Sequence, residues 1–328
     1  MSDRIGGRNT NLDVVKGLSA YLVIIIHYSF PIGSEYATAI ARIAVPLFFM
    51  ISGYFCKGEW GEIKRKIVYQ LKIYIVGELI YLIHYGYYNY ALGTEGEWLR
   101  SFVNIKTIFD ALVYGESKLF IGGWFLLALC QVYLLFFIIK KYNLYKLACI
   151  FIPLLIVWNW LCPRVLTFIN VDVFHLVDLK VLRATPFFML GNLWKKKEDE
   201  VRSLFSKGGM YIFIALGVIA IFVEKNYLDK MGIQKDWFIY IGTILVIIGC
   251  FAWALYCPQV KKSILAYVGK NLSMYIYVLH ILVIREINIR IGYPEIDWIW
   301  IATTVVAFIL YQFQKLVKRF IIQRKIYT

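Results

Sequence analysis

Apolar residues along this chain gather into ten runs, at about 18–32, 39–56, 67–90, 119–139, 147–162, 179–194, 209–223, 237–256, 264–289 and 298–314. A helix needs about 17–25 such residues to cross a bilayer, and most of the runs approach that length, several near its lower limit. The polar segments between them differ in charge from one side to the other. Lys57, Lys64, Arg65 and Lys66 fall on one side, followed there by Lys140, Lys141, Lys146, Lys195, Lys196, Lys197, Lys261, Lys262 and the basic tail from Lys315. The alternate segments hold fewer cations, among them Arg100, Lys106, Arg164 and Lys225, and more acids, such as Glu95, Glu97, Asp172 and Asp178. Cationic loops stay cytoplasmic. The pattern therefore predicts an all-α, polytopic membrane helix bundle of about ten transmembrane helices with both termini cytoplasmic. The longest polar segment, 91–118, carries Phe102, Ile105, Ile108, Phe109 and Leu112 at helical spacing, which predicts one interfacial helix on the outer face.

Composition supports the membrane reading. Hydrophobic residues make up 60% of the chain and charged residues 17%, against about 45–50% and about 25% in soluble domains. The net charge of +15 is accounted for by basic loops, so nucleic acid is not an expected partner. No internal repeat or soluble domain is evident, which leaves a single membrane domain over 1–328. A cleavable signal is not expected, because the first sixteen residues are polar. Six cysteines without a CxxC spacing suggest neither a metal site nor a disulfide framework.

Chemistry is concentrated in the stretch Asn11–His27. Asp13 and Lys16 open it, an apolar run follows, and His27 closes it. On a helix, Lys16 and His27 lie within about 20° of one face and roughly 16 Å apart. An ionisable group at that depth is a functional candidate. Arg42, Lys72, Lys180, Arg183, Arg285, Glu78, Glu286, His84 and His280 also fall within or at the ends of apolar runs, which argues for a polar cavity. Snorkelling to an interface is the plain alternative for Lys72 and Lys180. A membrane histidine can serve as general base toward a hydroxyl, or can simply be a hydrogen-bonded core residue. No Gly-rich phosphate loop, HExxH or GxSxG is present, so NTP hydrolysis, zinc proteolysis and serine-hydrolase chemistry lack support.

Five short segments, in order, resemble the acyltransferase-3 family of integral-membrane O-acyltransferases. They are Asp13–Lys16–His27; Phe48-Phe49-Met50-Ile51-Ser52-Gly53, preceded by Arg42; Trp124-Phe125-Leu126; Phe187-Phe188-Met189-Leu190-Gly191; and Gly269-Lys270-Asn271-Leu272-Ser273 leading to Tyr277 and His280. The resemblance implies transfer of an acyl group, acetyl by family weight, from acyl-CoA to a hydroxyl of a cell-surface carbohydrate or its lipid-linked precursor. It implies a multi-pass protein of the bacterial cell membrane that uses acetyl-CoA as donor and no metal; whether it forms a homo-oligomer is left open. His27 would act as base or acyl relay, with Asp13, Lys16 and Arg42 beside it. Lys16, Arg65, Lys66 and Lys72 would meet the phosphates of the donor. Trp124, Ser273, Tyr277 and His280 would line the cavity, with packing as the alternative for Trp124 and His280. Two departures stand out. Lys16 occupies a place where many family members have Arg, and the family's arginine pair at the start of the third helix is not clean here. Related membrane domains, such as the membrane half of the vancomycin-resistance serine racemases, resemble uptake modules. That leaves transport of a small solute such as serine as the rival function.

Overall fold

The computed structural model describes residues 8–28, 34–169, 179–205, 208–233, 239–292 and 298–327. Among these every regular element is helical. In chain order they are α1 (Thr10–His27), α2 (Ser34–Ala41), α3 (Ala44–Tyr54), α4 (Trp60–Leu92), α5 (Glu95–Phe102) and α6 (Ile105–Phe109). There follow α7 (Trp124–Lys141), α8 (Tyr145–Phe168), α9 (Lys180–Lys196), α10 (Glu198–Leu204) and α11 (Gly209–Lys230). The last are α12 (Ile241–Tyr256), α13 (Ile264–Asn271), α14 (Ser273–Ile291) and α15 (Trp298–Tyr327).

Seven helical stretches are long and apolar enough to cross a membrane, or eight if α13 and α14, bent by 85° at Leu272, count as one broken span. The remaining expected spans also contain helices, but α9 has 17 residues and α12 has 16. Residues 29–32 of the first predicted span, 237–238 of the eighth, and the loop acids Asp172 and Asp178 lie outside the described residues.

Three expectations need correction. Arg164 and Lys225 are not loop cations. The α8 helix continues through Pro163 to Phe168, because a partner satisfies the buried guanidinium: Arg164 Nη2 donates to Glu224 Oε1 at 2.5 Å. Lys225 pairs with Asp229, four residues on, at 2.7 Å. Second, Lys64, Arg65 and Lys66 stand on the first turns of α4 rather than in a loop. Third, segment 91–118 is not one helix. The chain breaks at Val103–Asn104, where the Asn104 side chain accepts from Thr107 N at 2.9 Å and starts α6 afresh. Its apolar residues Ile105, Ile108 and Leu112 are exposed.

The chain forms two compact units. One comprises Met1–Ala44, Ser206–Phe222 and Gly242–Thr328; the other comprises Val45–Phe205 and Val223–Ile241. In the first, α1 packs along α13 and α14. The crossing depends on two glycines. A Cβ on Gly17 would stand 2.1 Å from the Leu265 carbonyl oxygen, and one on Gly269 only 1.8 Å from that of Asp13. Only hydrogen at these positions lets the backbones approach so closely. In the second unit the two Phe-Phe segments meet in the same manner. A Cβ on Gly53 would strike the Phe188 carbonyl oxygen, and one on Gly191 that of Met50, each at 1.9 Å. Ser52 donates to Phe48 O within its own helix, so this motif makes a helix contact rather than a reactive hydroxyl.

Candidate functional site

In the first unit the site is built on α1. Asn9 caps the helix by accepting from Leu12 N at 2.9 Å, and its amide donates to Ala254 O at 3.0 Å. Asn11, fully buried, donates to Pro258 O at 3.1 Å and accepts from Val260 N at 2.9 Å. Gln259 Oε1 accepts from Thr10 N at 2.7 Å. These bonds pin the start of α1 to the segment after α12 and fix its register.

Asp13, 3% exposed, faces this anchored end. Arg8 grips it with both arms, Nε to Oδ2 at 2.5 Å and Nη2 to Oδ1 at 2.8 Å. The hydrogen bonds to Asp13 hold the Arg8 guanidinium above its ordinary value. Lys16 Nζ lies 3.9 Å from Asp13 Oδ1, a looser pairing. Beside them is a cavity of about 500 Å³, lined by Arg8, Asp13, Lys261, Lys262, Ser263 and Lys270 together with neighbouring residues. Asp13, the only acid among its lining residues, already serves Arg8. Among the described residues, Lys261, Lys262 and Lys270 make no ion pair with an acid. Ser263 caps α13 by accepting from Ala266 N at 3.4 Å, so the N-terminus of that helix also borders the cavity. Such a place attracts a polyanion twice, through lysine charge and through helix N–H groups.

At the other end of α1 stands His27, its last helical residue, before Tyr28 turns the chain extended. Protein surrounds it on most sides, yet its side chain stays accessible. Arg42, on the turn between α2 and α3, is close enough to act on its charge. The His280 ring of α14 lies 5.2 Å from that of His27, between centroids, and the Tyr277 ring lies 6.1 Å from His280. Ser273 donates to Gly269 O at 2.9 Å, at the break between α13 and α14. This unit thus holds Asp13 and Lys16 at one end of α1, and His27 with Arg42, His280 and Tyr277 at the other, while Ser273 stands at the α13–α14 break.

The second unit holds the remaining expected residues. Lys66 is engaged internally: it pairs with Glu62 at 2.8 Å, donates to Phe55 O at 2.8 Å and lies 5.4 Å from the Tyr133 ring centroid. Arg65 and Lys72 are exposed. Trp124 opens α7, with its ring 6.4 Å from that of Phe49 and Lys180 Nζ 5.9 Å from its centroid. Lys180 in turn lies 4.0 Å from Glu116. The sequence reading missed Arg8 as the partner of Asp13, since nothing in a five-residue spacing marks a salt bridge across a helix start. It also missed Lys270 as a wall of the basic cavity.

Residues 9–311 match the sequence profile of a family described as an acyltransferase domain. A serine/alanine racemase of Enterococcus gallinarum is 26% identical over 298 residues, covering 83% of this chain and 40% of that protein. The chain therefore spans less than half the length of that curated relative. No solved structure matches.

Proposed function

Because the chain belongs to the acyltransferase domain family, which it matches over residues 9–311, we propose that it is a multi-pass membrane enzyme carrying acyl groups from acyl-CoA to a carbohydrate hydroxyl. The observation that supports this is the pairing of a basic cavity at the start of α1 with an accessible histidine at its end. Asp13 and His27 are fourteen residues apart, or about 21 Å along the helix. A donor whose phosphates rest against Lys261, Lys262 and Lys270 would extend its pantetheine arm along that length. Lys16, a quarter exposed, continues the cationic path, while Arg65 and Lys72 remain open to anions on the other unit.

In this mechanism the acceptor hydroxyl gives its proton to His27 as its oxygen bonds to the thioester carbonyl carbon. Arg42 stabilises the oxyanion. The C–S bond then breaks, and the CoA thiolate leaves with the proton that His27 returns. We place both termini on the cytoplasmic side of a bacterial inner membrane. The long helices, the bent α13–α14 pair, α9 and α12 together make ten spans. Acetyl is the expected acyl group, and a surface polysaccharide or its lipid-linked precursor the expected acceptor.

A second reading, import of a small amino acid such as serine, draws on the similarity to the serine/alanine racemase. The test is CoA release by purified protein given acetyl-CoA and a panel of glycans. Acceptor-dependent release supports acyl transfer. Serine uptake by proteoliposomes without any CoA release supports transport instead.

A further inference from the structure

His280 is fully buried, and its ring is held by its own helix. Nδ1 lies 2.7 Å from Tyr277 O and 3.2 Å from Ile276 O. A carbonyl oxygen only accepts, so Nδ1 must carry the proton and donate it. A neutral imidazole then has a bare lone pair at Nε2. That nitrogen is buried and has no hydrogen-bond partner among the described residues. Buried acceptors are rarely left empty without a reason. The adjacent ring is that of His27, 5.2 Å away between centroids and tilted by 46°. As placed, the two rings make no hydrogen bond with each other, but imidazoles joined by one N–H···N bond have their centroids about this far apart, so a rotation of the His27 ring brings one of its nitrogens to Nε2.

We propose that His280 is a positioning residue for His27: its Nε2 receives an N–H of the His27 ring and fixes that ring's tautomer and orientation. The inference rests on His27 acting as base in acyl transfer. When His27 takes the proton of the acceptor hydroxyl, both of its nitrogens carry protons, and one of them faces Nε2 of His280. The other returns its proton to the leaving thiolate. His280 neither gains nor loses a proton in the cycle. Its role is to accept one hydrogen bond, as a carboxylate does in other base–orienter pairs.

The chemistry distinguishes two substitutions. His280→Gln keeps an acceptor oxygen near the position of Nε2, whereas His280→Phe keeps bulk and removes the acceptor. The expected kcat for acetyl transfer falls about 10- to 100-fold in His280→Phe, a fraction of the about 10²–10⁴-fold that positioned proton transfer supplies. KM for acetyl-CoA stays unchanged, and His280→Gln recovers most of the rate. Wild-type kcat in His280→Phe, or equal loss in both variants, overturns the proposal. A second readout does not depend on activity. In ¹⁵N-histidine-labelled full-length protein, Nε2 of His280 is expected to be unprotonated and its resonance to move in His27→Ala. A protonated Nε2, or a resonance indifferent to His27, overturns the pairing even if acyl transfer is established. Conversely, absence of transfer in wild type with the resonance coupled would refute the reaction and leave the pairing intact.

Discussion

Gly269→Ala should separate α1 from α13. The new Cβ would lie 1.8 Å from the Asp13 carbonyl oxygen and 2.6 Å from Gly17 N, where real Cβ contacts essentially never fall below 3.0 Å. Both neighbours are backbone, so no side chain can swing aside to relieve the clash. The helices must part by more than 1 Å, the difference between 1.8 and 3.0 Å. Overpacking in a tight interior costs about 1–3 kcal/mol when side chains yield, and a backbone clash belongs at or above the upper end. A loss of that size should lower the midpoint of thermal unfolding in detergent by on the order of 5 °C or more. Because α1 carries Asp13, Lys16 and His27, the same shift should reduce acyl transfer by roughly 10²-fold, the penalty for about 1 Å of misplacement. Gly96→Ala is the control: nothing lies within 4 Å of its Cβ, and the unfolding midpoint should hold or rise slightly. A Gly269→Ala protein with wild-type midpoint and wild-type rate would refute the crossing.

Other expectations concern charge. Reversing two walls of the cavity, Lys261→Glu with Lys262→Glu, should raise KM for acetyl-CoA about tenfold or more with kcat nearly unchanged, since it weakens phosphate attraction and leaves His27 untouched; steady-state kinetics with and without added salt would measure it. In the second unit Glu224 accepts from Arg164, from Trp160 Nε1 at 2.8 Å and from Ile241 N at 2.7 Å. Glu224→Leu alone removes the carboxylate partner of a buried guanidinium and should destabilise by about 3–5 kcal/mol, whereas adding Arg164→Met should restore much of the loss. Yield of monodisperse protein and the unfolding midpoint would decide whether the double variant outperforms the single one.

How much of this was legible in the sequence depends on whether the signal is local. Among the described residues, each apolar run contains helix, because an uninterrupted apolar stretch must satisfy its backbone internally in a membrane. The shared face of Lys16 and His27 also follows from helical periodicity alone. The bend at Leu272 was not legible, since 264–289 reads as one apolar run without proline, and its only glycine, Gly269, belongs to the crossing with α1 rather than to a break. Arg164 was mistaken for a loop residue because its compensating carboxylate, Glu224, is supplied by a helix far along the chain. The closeness of His27 and His280 and the basic cavity around Asp13 arise through space as well. The five motif segments pointed to the family, and the glycines of three of them prove to be helix crossings.

Acyl transfer with His27 as the base can be tested directly. Purified protein in proteoliposomes, supplied with radiolabelled acetyl-CoA and surface glycans, should deposit label on glycan hydroxyls in a form released by mild alkali. His27→Ala, with its unfolding midpoint unchanged, should deposit none. Labelling of the glycan at the wild-type rate by His27→Ala would contradict the account.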